Sequence, residues 1–327
     1  MVRFGVIGTN TITKEFIKAG RGIHDFELRA VYSRTQEQAD SFAQHYDIEH
    51  TFTDLTGMAQ SKEIDAVYIA SPNALHAKQA ILCMNHQKHV MCEKPIASNT
   101  AELQAMIQAA KDNHVVLMEA VKGTFFPAFQ AIRENLHKLG PVRRYFASYC
   151  KYSSRYDAYK EGTILNAFKP ELSNGALMDI GIYCIYPMVV LFGKPVKILA
   201  NGFLLESGVD GDGSILFDYG QMDAMVMFSK ITNSFLPAEI QGEDATIVID
   251  KINQPRKVEI CFKNGTIEDI SVPVNHHSMY YELVEFINLV KEGKLQSNVN
   301  SFLNSQLTME IMEEARSQMG LVFPADN

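Results

Sequence analysis

The stretch DAVYIASPNALHAKQAILCMNHQKHVMCEKPIASN, residues 65–99, has the pattern of a strand, a turn, a helix and a second strand. Apolar runs of strand length cover residues 66–70 and 89–92, and a helical pattern covers residues 74–85. Two strands joined by a helix form a right-handed βαβ unit with parallel strands. The second strand ends in Glu93-Lys94-Pro95. We therefore expect Lys94 at the carboxyl edge of a parallel sheet, where the ligands of such folds bind.

The same alternation extends over the first 120 residues, with strands predicted at 2–7, 27–32 and 115–118 and helices at 11–19, 36–46 and 100–112. This pattern predicts an α/β fold class: a Rossmann domain, residues 1–120, with a doubly wound parallel sheet. After residue 120 the alternation of strands and helices ends. The sequence then predicts a helix at 175–192, successive strands from 196 to 274, and helices at 280–291 and 302–319. Asn264-Gly265 between two of these strands predicts a type I′ hairpin.

The second half therefore predicts an α+β domain, residues 121–327, for substrate binding and oligomerisation. Its sheet is expected to be large, open and mostly antiparallel. We expect the helix at 302–319 to pack back on the first domain.

Composition narrows the class of protein. The chain has 327 residues, is 46% hydrophobic and carries a net charge of −8, which argues against a nucleic-acid partner or an anionic membrane surface. The apolar run 180–192 is shorter than the roughly 20 residues of a membrane span. Five scattered cysteines favour a reducing compartment, and we expect a cytoplasmic protein. His276-His277 lacks further ligands at metal-binding spacing, so no metal site is predicted.

The first strand runs into a turn, FGVIGTNTIT (residues 4–13), that retains one glycine of a dinucleotide fingerprint. Gly8 is present, and Asn10 stands at the second glycine position, where it can adopt the positive φ of a tight turn. Thr9, Asn10 and Thr11 offer donors at a helix N-terminus, and with Gly8 and Ile12 they form the predicted first part of the cofactor site. An ordinary capped βα turn explains this stretch equally well.

The end of the second strand carries Ser33, Arg34 and Thr35, and no acidic residue. A protein that binds NAD usually places Asp or Glu there to accept the ribose hydroxyl. A guanidinium with two hydroxyls suits a 2′-phosphate better. The sequence therefore favours NADP(H) over NAD(H), and the alternative is a surface arginine beside the next helix.

The apolar helix NGALMDIGIYCIY (residues 174–186) places Asp179 and Tyr183 four residues apart on one face. A carboxylate and a phenol in a buried helix need polar partners, and a lysine would satisfy both. The pair is either catalytic or a structural ion pair in the core.

Together, these motifs resemble the Gfo/Idh/MocA family of oxidoreductases along essentially the whole chain. The resemblance rests on the first turn, the Glu93-Lys94-Pro95 motif, the Met118-Glu119-Ala120 strand end, the helix at 179–183 and the turn SPNALH at 71–76. It implies that the cofactor site also includes Ser71, Pro72, Asn73, His76, Glu93 and Lys94. It further implies a cis Lys94-Pro95 bond and subunit contacts through the second-domain sheet, which give a dimer or a dimer of dimers.

Lys94, Asp179 and Tyr183 match the catalytic positions of that family. Many relatives have histidine where this chain has Tyr183, so the resemblance is to the branch of dihydrodiol dehydrogenase, xylose dehydrogenase and glucose–fructose oxidoreductase, which commonly uses NADP. The segment EAVKGTFFP (residues 119–127) departs from that branch, because Thr124 and Phe126 replace an arginine and a histidine. Its substrate contacts therefore do not carry over.

The resemblance implies an NADP(H)-dependent oxidoreductase that transfers a hydride to or from a hydroxyl or carbonyl carbon of a sugar, polyol or diol. Tyr183 is the expected general acid/base. Lys94 is expected to stabilise the phenolate, and Asp179 to hold Lys94 or the substrate. The alternative from another class is a ligand sensor of the same fold that binds the cofactor without turnover.

Overall fold

The chain folds into two compact units, and the computed structural model describes all residues from Met1 to Asn327. The first unit comprises Met1–Ala120 and His276–Phe302, and the second comprises Val121–Asn275 and Leu303–Asn327.

The first unit is built on six strands and the helices between them. The strands are β1 (Val2–Ile7), β2 (Phe26–Tyr32), β3 (His50–Phe52), β4 (Ala66–Ile69), β5 (His89–Glu93) and β6 (Leu117–Ala120). The helices are α1 (Thr11–Gly20), α2 (Gln36–Tyr46), α3 (Leu55–Gln60), α4 (His76–Asn85) and α5 (Thr100–Asn113). The sheet is parallel throughout, in the order β3-β2-β1-β4-β5-β6, which confirms the predicted doubly wound domain.

The strand order explains where a ligand can bind in this unit. β1 and β4 lie side by side at the centre, and the chain proceeds outward from them in opposite directions. All four residues of β4 are buried, as expected for a strand covered on both faces. The carboxyl ends of β1, β4 and β5 therefore meet at one edge, at the switch point where α/β proteins bind ligands.

The second unit contains the remaining eight strands. Before α8 (Ile182–Phe192) come α6 (Pro127–Asn135), β7 (Val142–Cys150) and α7 (Tyr156–Lys160); after it come β8 (Lys197–Leu204), β9 (Asp210–Asp218), β10 (Asp223–Ser229), β11 (Ala238–Gly242), β12 (Ala245–Ile249), β13 (Val258–Phe262) and β14 (Ile267–Asp269). The sheet order is β14-β13-β12-β11-β7-β10-β9-β8. Every pair is antiparallel except β7 with β10, so the predicted large and mostly antiparallel sheet is confirmed.

The last two helices belong to different units, whereas the sequence predicted both in the second domain. α9 (Tyr280–Glu292) belongs to the first unit, where Phe286 lies 5.8 Å from the ring of Phe4 and Lys291 pairs with Asp25 at 2.5 Å. α10 (Phe302–Met319) belongs almost entirely to the second unit and contributes Met312 to its core. The sequence pattern shows that these helices have an apolar face, but not which core covers it.

The hairpin at Asn264-Gly265 differs from the predicted type I′ turn. Only Gly265 has a positive φ, +87°, whereas type I′ needs two such residues. The Asn264 side chain accepts a hydrogen bond from the Thr266 N–H at 3.0 Å, and the Phe262 N–H donates to the Thr266 carbonyl. The loop therefore has three residues, with glycine at its left-handed position.

The segment Pro170–Phe192 is long and apolar enough to cross a membrane by length and composition, but 72% of its most apolar window is buried inside the structure. Met178, Ile182 and Ile185 lie in the core of the second unit. Core helices of globular proteins pass the same test, so this segment by itself is weak grounds for a membrane span.

Candidate active site

The turn after β1 is held by Gly8 and by the side chain of Asn10. Gly8 has φ +106°, and a Cβ atom there would lie 2.9 Å from the Ala70 carbonyl oxygen. Asn10 is extended, with φ −82° and ψ −177°, so the expectation of a positive φ at this residue is wrong. Its amide nitrogen donates to the Ala70 carbonyl at 2.6 Å, and its Oδ1 accepts from the Thr13 N–H at 3.2 Å. Asn10 thus caps α1 and ties the turn to the end of β4.

The N-terminus of α1 remains the place for an anion in this turn. An α-helix leaves its first N–H groups without intrahelical partners, and its dipole favours negative charge there. Thr11 is exposed, and Thr9 and Ile12 are half-buried. Because the Asn10 amide is already engaged, the groups left to hold a phosphate here are backbone N–H groups and threonine hydroxyls.

The turn after β2 contains one positively charged side chain, that of Arg34. The Ser33 hydroxyl donates to Gln38 at 3.1 Å, and the Thr35 side chain caps α2. Arg34 is exposed and forms no ion pair in the structure. Of the three predicted residues, Arg34 is the one that offers a positive charge to a phosphate.

The turns after β4 and β5 meet at a buried histidine. His76 is fully buried, with Nδ1 2.9 Å from the Pro95 carbonyl oxygen and Nε2 2.9 Å from the Ser71 carbonyl oxygen. Burial lowers the pKa of His76, the two backbone contacts oppose that shift, and the charge of Lys94 adds to it. The Ser71 hydroxyl donates to Gln79 at 2.6 Å. His76 therefore fixes the shape of both turns.

The Glu93-Lys94-Pro95 motif lies in the second of these turns. The Glu93 carboxylate is buried and accepts a hydrogen bond from the Tyr68 hydroxyl at 2.5 Å. Its other oxygen accepts from the Lys94 N–H at 3.3 Å. The Lys94-Pro95 bond is cis, as the resemblance implied. Lys94 itself is half-buried, and Pro72 and Asn73 lie in the neighbouring turn after β4.

Asp179 and Tyr183 stand out on the central helix of the second unit. They are the only two residues between Ala176 and Val189 that are not buried. The Tyr183 ring packs edge-on against Tyr149, with centroids 5.7 Å apart. The helix therefore presents one polar face, made of these two side chains, in a segment that is otherwise core.

The helix is not regular where Asp179 lies. Residues Leu177–Gly181 form a π-helical segment, and α8 starts directly after it, whereas the sequence predicted a single helix. Such π segments inside helices occur frequently at functional sites. Their wider turn cannot be read from apolar spacing, because the segment is apolar on every side except at Asp179.

A buried lysine, absent from the sequence prediction, supports Asp179. Lys230 is 3% exposed and donates to Asp179 Oδ2 at 2.8 Å, while the Asp179 side chain is 43% exposed. Lys230 directly follows β10 at a strand end, where a lysine normally reaches water. No local pattern distinguishes it from a surface lysine.

A buried carboxylate, that of Asp210 on β9, contacts the start of the same helical segment. Asp210 is fully buried, and its Oδ2 accepts from the Leu177 N–H at 2.6 Å, while its Oδ1 has no hydrogen-bond partner. Burial raises the pKa of Asp210 to about 6, against the effect of that hydrogen bond and of the Lys230 charge. A Cβ atom at Gly175, where φ is +143°, would lie 2.0 Å from Asp210 Oδ1. Only glycine fits there.

The segment 119–127 contributes core residues. Phe126 is fully buried, and the buried Thr124 hydroxyl donates to the Val121 carbonyl at 2.8 Å. These two side chains therefore belong to the packed interior of the second unit.

Family models match both parts of the chain. The model described as an oxidoreductase family with an NAD-binding Rossmann fold matches residues 2–121. The model described as the GFO/IDH/MocA C-terminal domain matches residues 129–248.

The chain is similar along its whole length to curated enzymes. It is 58% identical over 326 residues to the scyllo-inositol 2-dehydrogenase (NADP(+)) IolU of Bacillus subtilis, covering 100% of this chain and 99% of that protein. It is 30% identical over 340 residues to the trans-1,2-dihydrobenzene-1,2-diol dehydrogenase of Mus musculus, covering 99% of each. Among solved structures, a levoglucosan dehydrogenase in complex with NADH and levoglucosan has a TM-score of 0.87 at 19% identity, covering 98% of this chain and 97% of that one.

Proposed function

The chain belongs to the GFO/IDH/MocA family of oxidoreductases, and on that premise we propose that it is an NADP(H)-dependent dehydrogenase of ring polyols. It oxidises a secondary hydroxyl of scyllo-inositol or a closely related polyol to a ketone, and it catalyses the reverse reduction. The observation that carries this proposal is the 58% identity, over the whole chain, with an enzyme named for that substrate and that cofactor. The relatives named for a ring diol support the same class of substrate.

The residues of the first unit fit NADP. Gly8 leaves room beside the Ala70 carbonyl that any side chain would fill, and the α1 N-terminus favours the pyrophosphate. Arg34, exposed and without an ion pair, fits the 2′-phosphate. We propose that Ser71, Pro72, Asn73, His76 and Glu93 shape the rest of this edge. When bound, the nicotinamide supplies the hydride chemistry, and the protein handles one proton.

Three side chains carry the proposed chemistry. Tyr183 accepts the proton of the reacting hydroxyl during oxidation and returns it during reduction. The Lys94 ammonium donates a hydrogen bond to the reacting oxygen and stabilises negative charge on it. Asp179 accepts a hydrogen bond from a neighbouring substrate hydroxyl and so orients the ring. These roles follow from the family's catalytic positions and from the exposure of Asp179 and Tyr183 on an otherwise buried helix.

The test is turnover of purified protein with scyllo-inositol and NADP⁺, followed by the absorbance of NADPH, with NAD⁺ and glucose as comparators. We expect turnover with scyllo-inositol and a higher kcat/KM for NADP⁺ than for NAD⁺. NADPH binding without turnover of any polyol, sugar or diol would favour the ligand sensor instead. Absence of binding of both cofactors would remove the oxidoreductase proposal.

We also propose that the outer face of the eight-stranded sheet pairs with a second copy of the chain. Leu199, Leu216, Met225 and Phe146 stand opposite one another in register across β8, β9, β10 and β7. Leu199 is 62% exposed and Leu216 45% exposed. Such an apolar row on the solvent side of an antiparallel sheet is typical of a symmetric interface.

Light scattering tests this assembly. The wild type is expected to be at least a dimer, and Leu216→Glu is expected to release monomers. Leu303→Glu on α10, whose side chain is 61% exposed, is the matched control and should leave the mass unchanged. A monomeric wild type would contradict the proposed interface.

We place the protein in the cytoplasm, because all five cysteines are unpaired thiols and three of them are buried. Cell fractionation tests this location, and recovery in an oxidising compartment would contradict it.

A further inference from the structure

We propose that Lys230 is a positioning residue for the reaction: its buried ammonium holds the Asp179 carboxylate, in ionised form, for contact with the substrate. This inference rests on the proposed function, because it takes Asp179 to orient a substrate hydroxyl.

The contacts of Lys230 are few and directional. Its Nζ donates to Asp179 Oδ2 at 2.8 Å and to the Ala167 carbonyl at 3.3 Å, and it lies 5.3 Å from the centre of the Phe168 ring. Lysine is almost never fully buried unless it is paired, since an ammonium loses its hydration there. Here the cation is 3% exposed and its anion is 43% exposed. The lysine is therefore part of the core, and the carboxylate is the end of the pair that reaches solvent.

The backbone of Lys230 is anchored on both sides. Its N–H donates to the Gly211 carbonyl at 2.9 Å, and its carbonyl accepts from the Ser153 N–H at 2.8 Å. Gly211 continues the pairing of β9 with β10, and Ser153 belongs to the loop before α7. Lys230 is therefore fixed at its backbone and enclosed at its side chain, so it offers the Asp179 carboxylate a cation at a defined position.

The charged and titratable groups around this pair come from several elements. Asp210, at the start of β9, is the other carboxylate whose charge interacts with Lys230, but its hydrogen bond comes from the Leu177 N–H, and only Asp179 lies within ion-pair distance of the ammonium. The phenol on the same helical face as Asp179 is that of Tyr183, on α8, whose ring packs against Tyr149, on β7. The buried ammonium of Lys230 is thus paired with Asp179, the one carboxylate on the polar face of the helix.

Stability does not explain this arrangement. A buried ion pair is often no more stabilising than apolar side chains of similar volume, and an apolar residue would suit the surroundings of Phe168 and Ala167. Buried charges that act on a neighbouring titratable group are frequent at active sites. A cation within 3 Å of a carboxylate favours its ionised state and restricts its rotamers.

The experiment compares Lys230→Met with the wild type, with Lys194→Met as the matched control. Lys194 forms an exposed ion pair with Glu310 at 2.7 Å, so its loss should leave turnover unchanged. In Lys230→Met we expect kcat to fall by up to about 100-fold, because a small misplacement of an orienting group has this effect. We also expect the acid limb of the pH profile of kcat/KM to move up by about one pH unit or more. Lys230→Arg should restore part of kcat and return the limb towards its original pH.

Two further measurements make the result decisive. If Lys230 acts through Asp179, the double variant Asp179→Asn/Lys230→Met should be no slower than Asp179→Asn alone. A ¹³C titration of the Asp179 carboxyl, assigned with Asp179→Asn, should show a higher pKa in Lys230→Met than in the wild type. A kcat and pH profile like those of the wild type, or a pKa that does not rise in folded Lys230→Met, would overturn the proposal.

An inactive wild type would overturn the proposed function and leave the carboxyl titration to decide whether Lys230 controls Asp179. Thermal unfolding and NADPH titration of each variant establish that the units are folded.

Discussion

The turn after β1 and the helix that carries Asp179 are both irregular, but they are held in different ways. In the turn, the short and exposed side chain of Asn10 connects α1 to the carbonyl of the buried Ala70. In the helix, a buried lysine and a buried aspartate, Lys230 and Asp210, lie beside the polar face and at the start of the π segment. The first arrangement uses local capping, whereas the second uses charges enclosed in a core.

This difference indicates how each region should respond to substitution. A cap is worth about 1 kcal/mol and can be replaced by water or by another polar group. A buried charge that loses its partner is much more costly, because no water reaches it. We therefore expect the helix region to be sensitive to single changes and the turn to be tolerant, and four predictions test that contrast from the largest effect to the smallest.

Tyr183→Phe should have the largest effect. It removes the proposed proton acceptor and keeps the ring that packs on Tyr149. Turnover should fall by about 10²–10⁴-fold with little change in NADPH affinity. Steady-state kinetics and an NADPH titration measure both, and Tyr149→Phe is the comparator, with a smaller loss expected. Turnover near that of the wild type in Tyr183→Phe would move the proton to another group.

Asp210 should make folding stability depend on pH. Burial raises the pKa of Asp210 from 3.8 to about 6, so the native state holds a proton that the unfolded state releases between these values. The free energy of unfolding should therefore decrease as the pH rises through this window, by up to about 3 kcal/mol from this group. Urea unfolding at several pH values should show this decrease in the wild type and a smaller one in Asp210→Asn. Equal slopes in the two proteins would contradict a raised pKa.

Arg34→Ala extends the comparison to the turn after β2, which carries the one charged contact proposed for the cofactor in the first unit. The dissociation constant of NADPH should rise by about 10- to 100-fold, since a charge-assisted hydrogen bond is worth about 1.5–3 kcal/mol. NADH has no 2′-phosphate, so its affinity should stay within about twofold of the wild type. Arg34→Lys, which keeps the charge and loses the planar fork, should fall between the two. Fluorescence titration suits this chain because it has no tryptophan. Equal losses for both cofactors would place the 2′-phosphate elsewhere.

Asn10→Ala should have the smallest effect. It removes the cap of α1 and the bond to the Ala70 carbonyl, so the free energy of unfolding should drop by about 0.5–2 kcal/mol. NADPH affinity should change less than in Arg34→Ala, because the backbone N–H groups remain. Thermal unfolding and titration measure the two effects, and Asn10→Gly is the control that restores the usual fingerprint residue. Complete loss of NADPH binding in a stable variant would show that the turn is not tolerant.

The architecture could be predicted from the sequence because it rests on repeated local patterns. Five of the six strands of the first sheet follow from apolar runs, and β3 and α3, with three and six residues, are too short for a recognisable period. The location of α9 could not be predicted, because an apolar face does not identify the sheet that covers it.

Candidate site residues could be predicted where chemistry and sequence spacing coincide, as for Asp179 and Tyr183. Lys230 could not, because its burial depends on the packing of Phe168 and Ala167, far away in sequence. The conformation of Asn10 was wrongly expected because the fingerprint suggests a glycine-like backbone, whereas the side chain forms the connection itself. The assignments of individual site residues remain predictions.

The fit between Gly175 and Asp210 has a consequence for sequence divergence. Any side chain at position 175 would collide with the Asp210 carboxylate, and removing the carboxylate would leave the Leu177 N–H without its acceptor. A substitution at either position alone should therefore destabilise the second unit, although the two residues are far apart in the chain. In a library of single and double substitutions, we expect this pair to be among the least tolerant positions of the second unit, and to be rescued only by coordinated change.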